Sequence, residues 1–288
     1  MSRKVGTRMS APAIRPDRTK GSLADSLAAV AGATESWLEL RRGVPTETAE
    51  AWVSCADLLD QPERLDAWRA TLAEWMCQEY GEAPERATAG YLMGWYLNGP
   101  GLLAGLLFHR LRRVPMLRPR DLALRIAAEG RPHPDGLALL SDSFACLPDD
   151  PGRDLPEATV VADEAALASL LRARFAEHAA RFVAAFGPTS RFGRRTLWAA
   201  ATDALDSGAW LAGRLCGDEV SGVADAALLL PARIAPFTSG STLRFGCDDP
   251  SAGDLPQWTR RRESCCFHFA LPGATACDTC PRVMPADR

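Results

Sequence analysis

Residues 260–281 read RRRESCCFHFALPGATACDTCP, and the use made of the thiols in that stretch decides how the end of the chain folds. Cys265, Cys266, Cys277 and Cys280 fall close together in a chain of nine cysteines. Thiols this dense, with no secretory signal in front of them, read as a metal site before they read as disulfides. A Cys-x-x-Cys turn brings two thiolates onto one metal, and Pro281 directly after it limits the turn's freedom. The adjacent pair is less ordinary. Neighbouring side chains diverge in extended backbone, so vicinal thiolates suit a cofactor with more than one metal atom, such as a [2Fe–2S] cluster with four cysteine ligands. A tetrahedral zinc site also accepts four thiolates, and spacing alone leaves both open.

The pattern Cys-Cys-x10-Cys-x2-Cys, preceded by arginines and followed by proline, resembles the C-terminal segment of the FhuF family of ferric-siderophore reductases. The resemblance implies that Cys265, Cys266, Cys277 and Cys280 bind a [2Fe–2S] cluster. Upstream, Arg194-Arg195-Thr196-Leu197-Trp198 is similar to a Leu-Trp segment of the same family. The resemblance implies an oxidoreductase that gives one electron to Fe(III) held in a siderophore, of hydroxamate type, and so releases the iron.

The rest of the chain bounds that expectation. Its 288 residues can bury a sizeable core, and a net charge of −3 from 33 basic and 36 acidic residues argues against bulk nucleic-acid binding. The longest strongly apolar run, Gly99 to Phe108, falls short of the roughly 20 residues that span a bilayer. The apolar stretch Leu23 to Ala33 is interrupted by Asp25 and makes a poor export signal. These features predict a cytoplasmic, reducing location without a transmembrane helix, open to peripheral contact with the inner membrane. No Gly-rich phosphate loop occurs, so electrons are expected from a protein donor such as a ferredoxin.

The fold class expected is mainly α with a small β element and a C-terminal loop-rich iron–sulfur segment. Four regions are anticipated: a disordered basic tail over 1–20, a mostly helical region over 21–150, a helical FhuF-like region over 151–250, and the cluster-binding segment over 251–288. Periodicity predicts helices over Thr48–Asp60 and Pro62–Tyr80, the second with Leu65, Trp68, Leu72, Trp75 and Met76 on one face. A further helix from Pro84 to about Leu97 is broken at Asn98-Gly99-Pro100-Gly101, and its partner, ending at His109 to Arg113, completes a hairpin. A short helix follows Pro119 to about Glu129, and a strand or hairpin spans Gly136–Leu147. Asp163 caps a long helix stopped by Gly187-Pro188, Arg195–Cys216 forms another, and a short one runs near Ala224–Leu230.

Around the cluster, Arg260, Arg261, Arg262 and Arg282 offer positive charge either as a solvated face or to dock an acidic donor or anionic chelate, and Trp258 either packs or walls the ligand. His268, two residues after Cys266, suits a hydrogen bond near the cluster or a plain surface position. His109, His133 and His178 lack metal-site spacing. Cys55, Cys77, Cys146, Cys216 and Cys247 read as isolated buried thiols, with Cys247 nearest the cluster. An iron–sulfur electron carrier or redox sensor, and a zinc-stabilised interaction module, are the alternatives.

Overall fold

The computed structural model describes residues 21–246 and 257–282. The tail expected over 1–20 and Cys247 therefore lie outside the described residues. Two long helices, α4 (Glu85–Leu111) and α6 (Arg194–Leu215), form the axis. They cross on small residues: a Cβ on Gly101 would lie 2.6 Å from the carbonyl oxygen of Ala204, and one on Gly105 would strike that of Gly208. Only glycine admits so close an approach.

Around this axis stand α1 (Leu23–Ala31), α2 (Cys55–Asp60), α3 (Pro62–Tyr80), α5 (Glu164–Ser190) and α7 (Glu219–Leu229). α1 begins with a capping box, in which the Ser22 hydroxyl accepts from Asp25 N and the Asp25 side chain reaches back to the cap. α5 starts as its sequence predicts, with the Asp163 carboxylate accepting from Ala166 N at 2.8 Å. Its apolar stripe, Leu167, Leu171, Phe175, Phe182 and Phe186, is buried throughout. One continuous apolar core joins these helices to the C-terminal segment, whose Cys265, Phe267, Leu271 and Cys280 all take part. Among the described residues no helix is long and apolar enough to cross a membrane.

The strands β1 (Glu39–Arg42), β2 (Trp52–Ser54), β4 (Leu122–Ile126) and β5 (Pro134–Leu139) form one sheet in the order β1-β5-β4-β2. A second sheet, β3-β6-β7, comprises β3 (Arg113–Pro115), β6 (Phe144–Cys146) and β7 (Ala158–Val160). A hairpin of β8 (Leu243–Gly246) and β9 (Gln257–Arg260) leads into the cysteine segment. The mainly helical class holds, with the strands in small sheets whose buried residues join the helical core.

Several local expectations change. The chain does not break at Asn98 to Gly101: α4 runs through Pro100 as one helix. An internal proline costs about 3 kcal/mol, and here every residue from Pro100 to Phe108 is buried, so tertiary packing outweighs it. Thr48–Asp60 is not one helix but a 3-10 turn, strand β2 and then α2, because Trp52 and Val53 pair with β4. After Pro119 a single 3-10 turn gives way to β4, not a helix; an apolar run this short has no period that separates the two. Gly136–Leu147 does supply strands, in two different sheets. α5 continues past Gly187-Pro188 to Ser190 and ends at Arg191 in the left-handed region, φ 55°. α7 starts at Glu219, ahead of Ala224, because the Asp218 side chain caps it by accepting from Ser221 N.

Candidate metal centre

α6 presents Thr202, Asp203 and Asp206 on its buried side, and these carry the C-terminal segment. The Asp203 carboxylate accepts from Glu263 N at 2.9 Å, from Ser264 N at 2.8 Å and from the Ser264 hydroxyl at 2.5 Å. The Arg260 guanidinium donates to the Asp203 carbonyl at 3.0 Å and stands 3.6 Å from its carboxylate. Asp206 accepts from the Ser241 hydroxyl at 2.6 Å and from Thr242 N at 3.1 Å, which ties down the start of the hairpin. Burial raises the Asp206 pKa, and those hydrogen bonds oppose the rise. Carboxylates on a core-facing helix side are tolerated only when satisfied in this way.

The backbone beyond Ser264 turns tightly. Phe267 lies in the left-handed region, φ 59°, which is uncommon for a residue with a Cβ. Its N–H donates to the Cys265 sulfur at 3.4 Å. The Phe267 ring is buried, stacks on Phe192 at 5.6 Å between centroids, and has the Arg282 guanidinium 5.0 Å from its centre. On the other limb, Cys280 N bonds to the Cys277 carbonyl at 2.9 Å, closing the Cys-x-x-Cys turn. Arg262 N bonds to the Thr279 carbonyl at 3.1 Å, and the Arg261 guanidinium to the Pro281 carbonyl at 2.9 Å, joining the two limbs.

The thiols of the two limbs are near enough to act on one another electrostatically, Cys265 with Cys280 and Cys266, and Cys277 with Cys266 and Cys280. Burial pushes the Cys277 thiol up to about 11, and the neighbouring Cys266 adds to the rise. Cys265 is also raised, by burial first, against the opposing Phe267 N–H. Among the described residues no three His, Cys, Asp or Glu side chains meet the geometry for holding a single metal ion. The all-sulfur set of four cysteines is the donor chemistry that a [2Fe–2S] centre takes. One N–H donor, that of Phe267, faces the Cys265 sulfur. The Arg262 guanidinium acts on Cys266 electrostatically, and its buried Nε, 3.8 Å from the Asp203 carboxylate, has no hydrogen bond among the described residues. Donors of this kind stabilise cluster thiolates and adjust their potential.

The other residues singled out in the sequence separate. Arg260 is only 8% exposed and serves Asp203 and Asp206, so it belongs to the scaffold and not to a docking face. Arg261 and Arg262 brace the limbs. Trp258 packs edge-on against Phe245 in the hairpin, 5.5 Å between centroids. Arg282 lines an open cleft. That cleft, of about 410 Å³, is bounded by Arg86, Arg191, Arg282, Phe192, Phe267 and the Cys265 edge of the metal centre. Arg86 and Arg191, remote in sequence, carried no signal beyond being basic.

His268 is not a bare surface residue: its Nδ1 shares a 2.6 Å hydrogen bond with the Tyr91 hydroxyl. His109 pairs with buried Asp225 at 2.7 Å, locking α4 to α7. His178 is fully buried against the Leu117 carbonyl, and His133 lies beside Trp95. Cys55 and Cys146 are buried as expected, whereas Cys77 is exposed and Cys216 half-buried.

Residues 262–282 match the family model described as the FhuF 2Fe-2S C-terminal domain. No curated protein and no solved structure matches the chain. The four cysteines fit that domain's motif; the segment that holds them is similar to the FhuF C-terminal domain, and the cofactor the match indicates is a [2Fe–2S] cluster.

Proposed function

We propose that this chain is a ferric-siderophore reductase of the cytoplasm, acting on a ferric chelate of the hydroxamate type with a ferredoxin-like protein as electron donor. The observation that carries the reading is the cleft formed by Arg86, Arg191 and Arg282 beside Cys265. The three guanidinium groups offer N–H donors to the metal-bound oxygens of a chelate whose tris-hydroxamate core is uncharged, Glu263 in the lining and Glu85 beside Arg191 temper the positive charge of the opening, and the Phe192 and Phe267 rings give it an apolar wall. When bound by Cys265, Cys266, Cys277 and Cys280, the cluster supplies one electron at a time.

The chain's own residues then do three things. Arg86 and Arg282, both within 6 Å of the Phe267 ring, draw in the chelate and hold it against that ring. The cysteine segment, pinned by Asp203, keeps the Cys265 edge open to the cleft. The Arg262 side chain offsets negative charge at Cys266. In the substrate, Fe(III) is a hard ion gripped by oxygen donors, and its conversion to Fe(II) loosens that grip.

The test is anaerobic reduction of the chain by dithionite, removal of excess reductant, and mixing with a ferric trihydroxamate while Fe(II) is trapped by a coloured chelator. One Fe(II) per reduced chain is expected. The double variant Arg86→Gln/Arg282→Gln, which removes two of the guanidinium donors, should raise KM by roughly tenfold. A reduced chain that stays reduced in the presence of the chelate would reject the reading.

A further inference from the structure

A second cavity lies on the opposite stretch of α4 from the arginine cleft. It has a volume of about 290 Å³ and sits where α4 crosses α6, under the Arg131–Pro134 turn. Trp37 and Trp95 form its aromatic walls, Gly99 and Gly208 its floor, and Arg131, His133, Asn98 and Ser207 its polar groups. Trp37 is 45% exposed, an unusual cost for a tryptophan with nothing over it. The Arg131 guanidinium sits 5.7 Å from the centre of the Trp95 ring, and among the described residues it has no carboxylate partner. A cavity of this kind, mostly apolar with a few convergent polar groups, has the form of a small-ligand site.

What distinguishes the cavity is its connection to the metal centre. Trp95 meets Tyr91, one helical turn earlier on α4, edge to face at 5.3 Å between centroids. The Tyr91 hydroxyl in turn reaches His268 Nδ1 at 2.6 Å, and His268 follows the vicinal cysteines. Gly90, next to Tyr91, packs directly on the Cys266 backbone. Three rings in sequence, Trp95, Tyr91 and His268, therefore run from the cavity wall to the cysteine loop, along a helix whose rise of 1.5 Å per residue keeps the two ends close.

We infer that this cavity binds a flat aromatic ring carrying negative charge, and that the Trp95–Tyr91–His268 series couples its occupancy to the cluster-bearing loop. Tryptophan faces accept a planar ring, and Arg131, with no carboxylate partner among the described residues, selects an anionic substituent beside it. Two sources share that chemistry, a flavin nucleotide and an aryl carboxylate. The site goes beyond the ferric-chelate reading and does not depend on it, since the two cavities share no lining residue.

The experiment titrates cluster-loaded chain with riboflavin 5′-phosphate, and separately with 2,3-dihydroxybenzoate, following tryptophan fluorescence and the visible circular dichroism of the cluster. Saturable binding of at least one probe is expected, the flavin arm and the aryl arm telling the sources apart. Arg131→Gln and Trp37→Ala, both at exposed positions, should each weaken it by roughly tenfold. Arg86→Gln/Arg282→Gln should leave it unchanged. Tyr91→Phe should keep the affinity while abolishing the ligand-induced change in the cluster's dichroism. The inference is overturned if neither probe saturates, if the Arg131 and Trp37 variants bind like the parent, or if the bound probe leaves the cluster spectrum untouched. Ferric-chelate turnover that persists in Arg131→Gln keeps the two readings separable.

Discussion

The carboxylate of Asp203 takes three hydrogen bonds from Glu263 and Ser264 and faces Arg260, so removing it leaves the buried Ser264 N–H and hydroxyl and the part-buried Glu263 N–H without their acceptor, and Arg260 with Asp206 alone as carboxylate neighbour. Breaking such a set costs about 3–5 kcal/mol. Asp203→Ala should therefore yield chain with little bound iron and sulfide, while Asp203→Asn, which keeps one acceptor oxygen, retains an intermediate amount; full loading of both variants would refute the anchoring role. Cys277→Ser or Cys280→Ser should abolish the visible cluster spectrum, and Cys55→Ser, at a buried thiol held up at about 12, should preserve it. The cysteine motif was legible in the sequence because four thiols fall within sixteen positions at a metal-site spacing, whereas how the two limbs meet was not. Asp203 was not: Thr202-Asp203-Ala204-Leu205-Asp206 shows only two acids three apart on an Ala-rich helix. The two acids share one side of the helix at i and i+3, with Leu205 nearly opposite Asp203, so nothing in the spacing marked that side as buried.

At the scale of elements, α4 links everything that matters, and its glycines are not equivalent. A Cβ on Gly90 would sit 2.6 Å from the Cys266 carbonyl oxygen, backbone that cannot swing aside, whereas one on Gly94 meets nothing closer than the Asn98 amide at 3.9 Å. Gly94→Ala should raise stability by about 0.5–1 kcal/mol through helix propensity. Gly90→Ala should push the vicinal cysteines away and lower cluster content, measurable as absorbance per chain. Equal behaviour of the two variants would mean that the loop does not rest on the helix. The helices α3, α5 and α6 were readable because their apolar residues recur at helical spacing over long windows. The course of α4 through Pro100, and the strands β2 and β4, were not. There, burial and pairing with distant segments decide the conformation, and neither leaves a local trace.

For the molecule as a whole, acid is the informative stress. His178 is fully buried, its Nδ1 against the Leu117 carbonyl at 2.7 Å and its Nε2 without a partner, so desolvation lowers its pKa to about 4. In the unfolded chain the same imidazole titrates near 6.5. Between those values the unfolded state holds the extra proton, so stability rises with pH across that window and is lost as pH falls through it. The slope is about 1.4 kcal/mol per pH unit, which amounts to about 3 kcal/mol between pH 6.5 and 4. His178→Asn keeps an amide donor for Leu117 and removes the titration. Denaturant unfolding at pH 7 and pH 5 should then show a loss in the parent chain that exceeds the variant's by about 2 kcal/mol. His178 joins α5 to the backbone before the Pro119 turn, within the same core that the cysteine segment completes. Cluster retention at pH 5 should accordingly fall with global stability in the parent and hold in the variant. If the variant unfolds on the same acid limb as the parent, the imidazole is not the group that couples this core to pH.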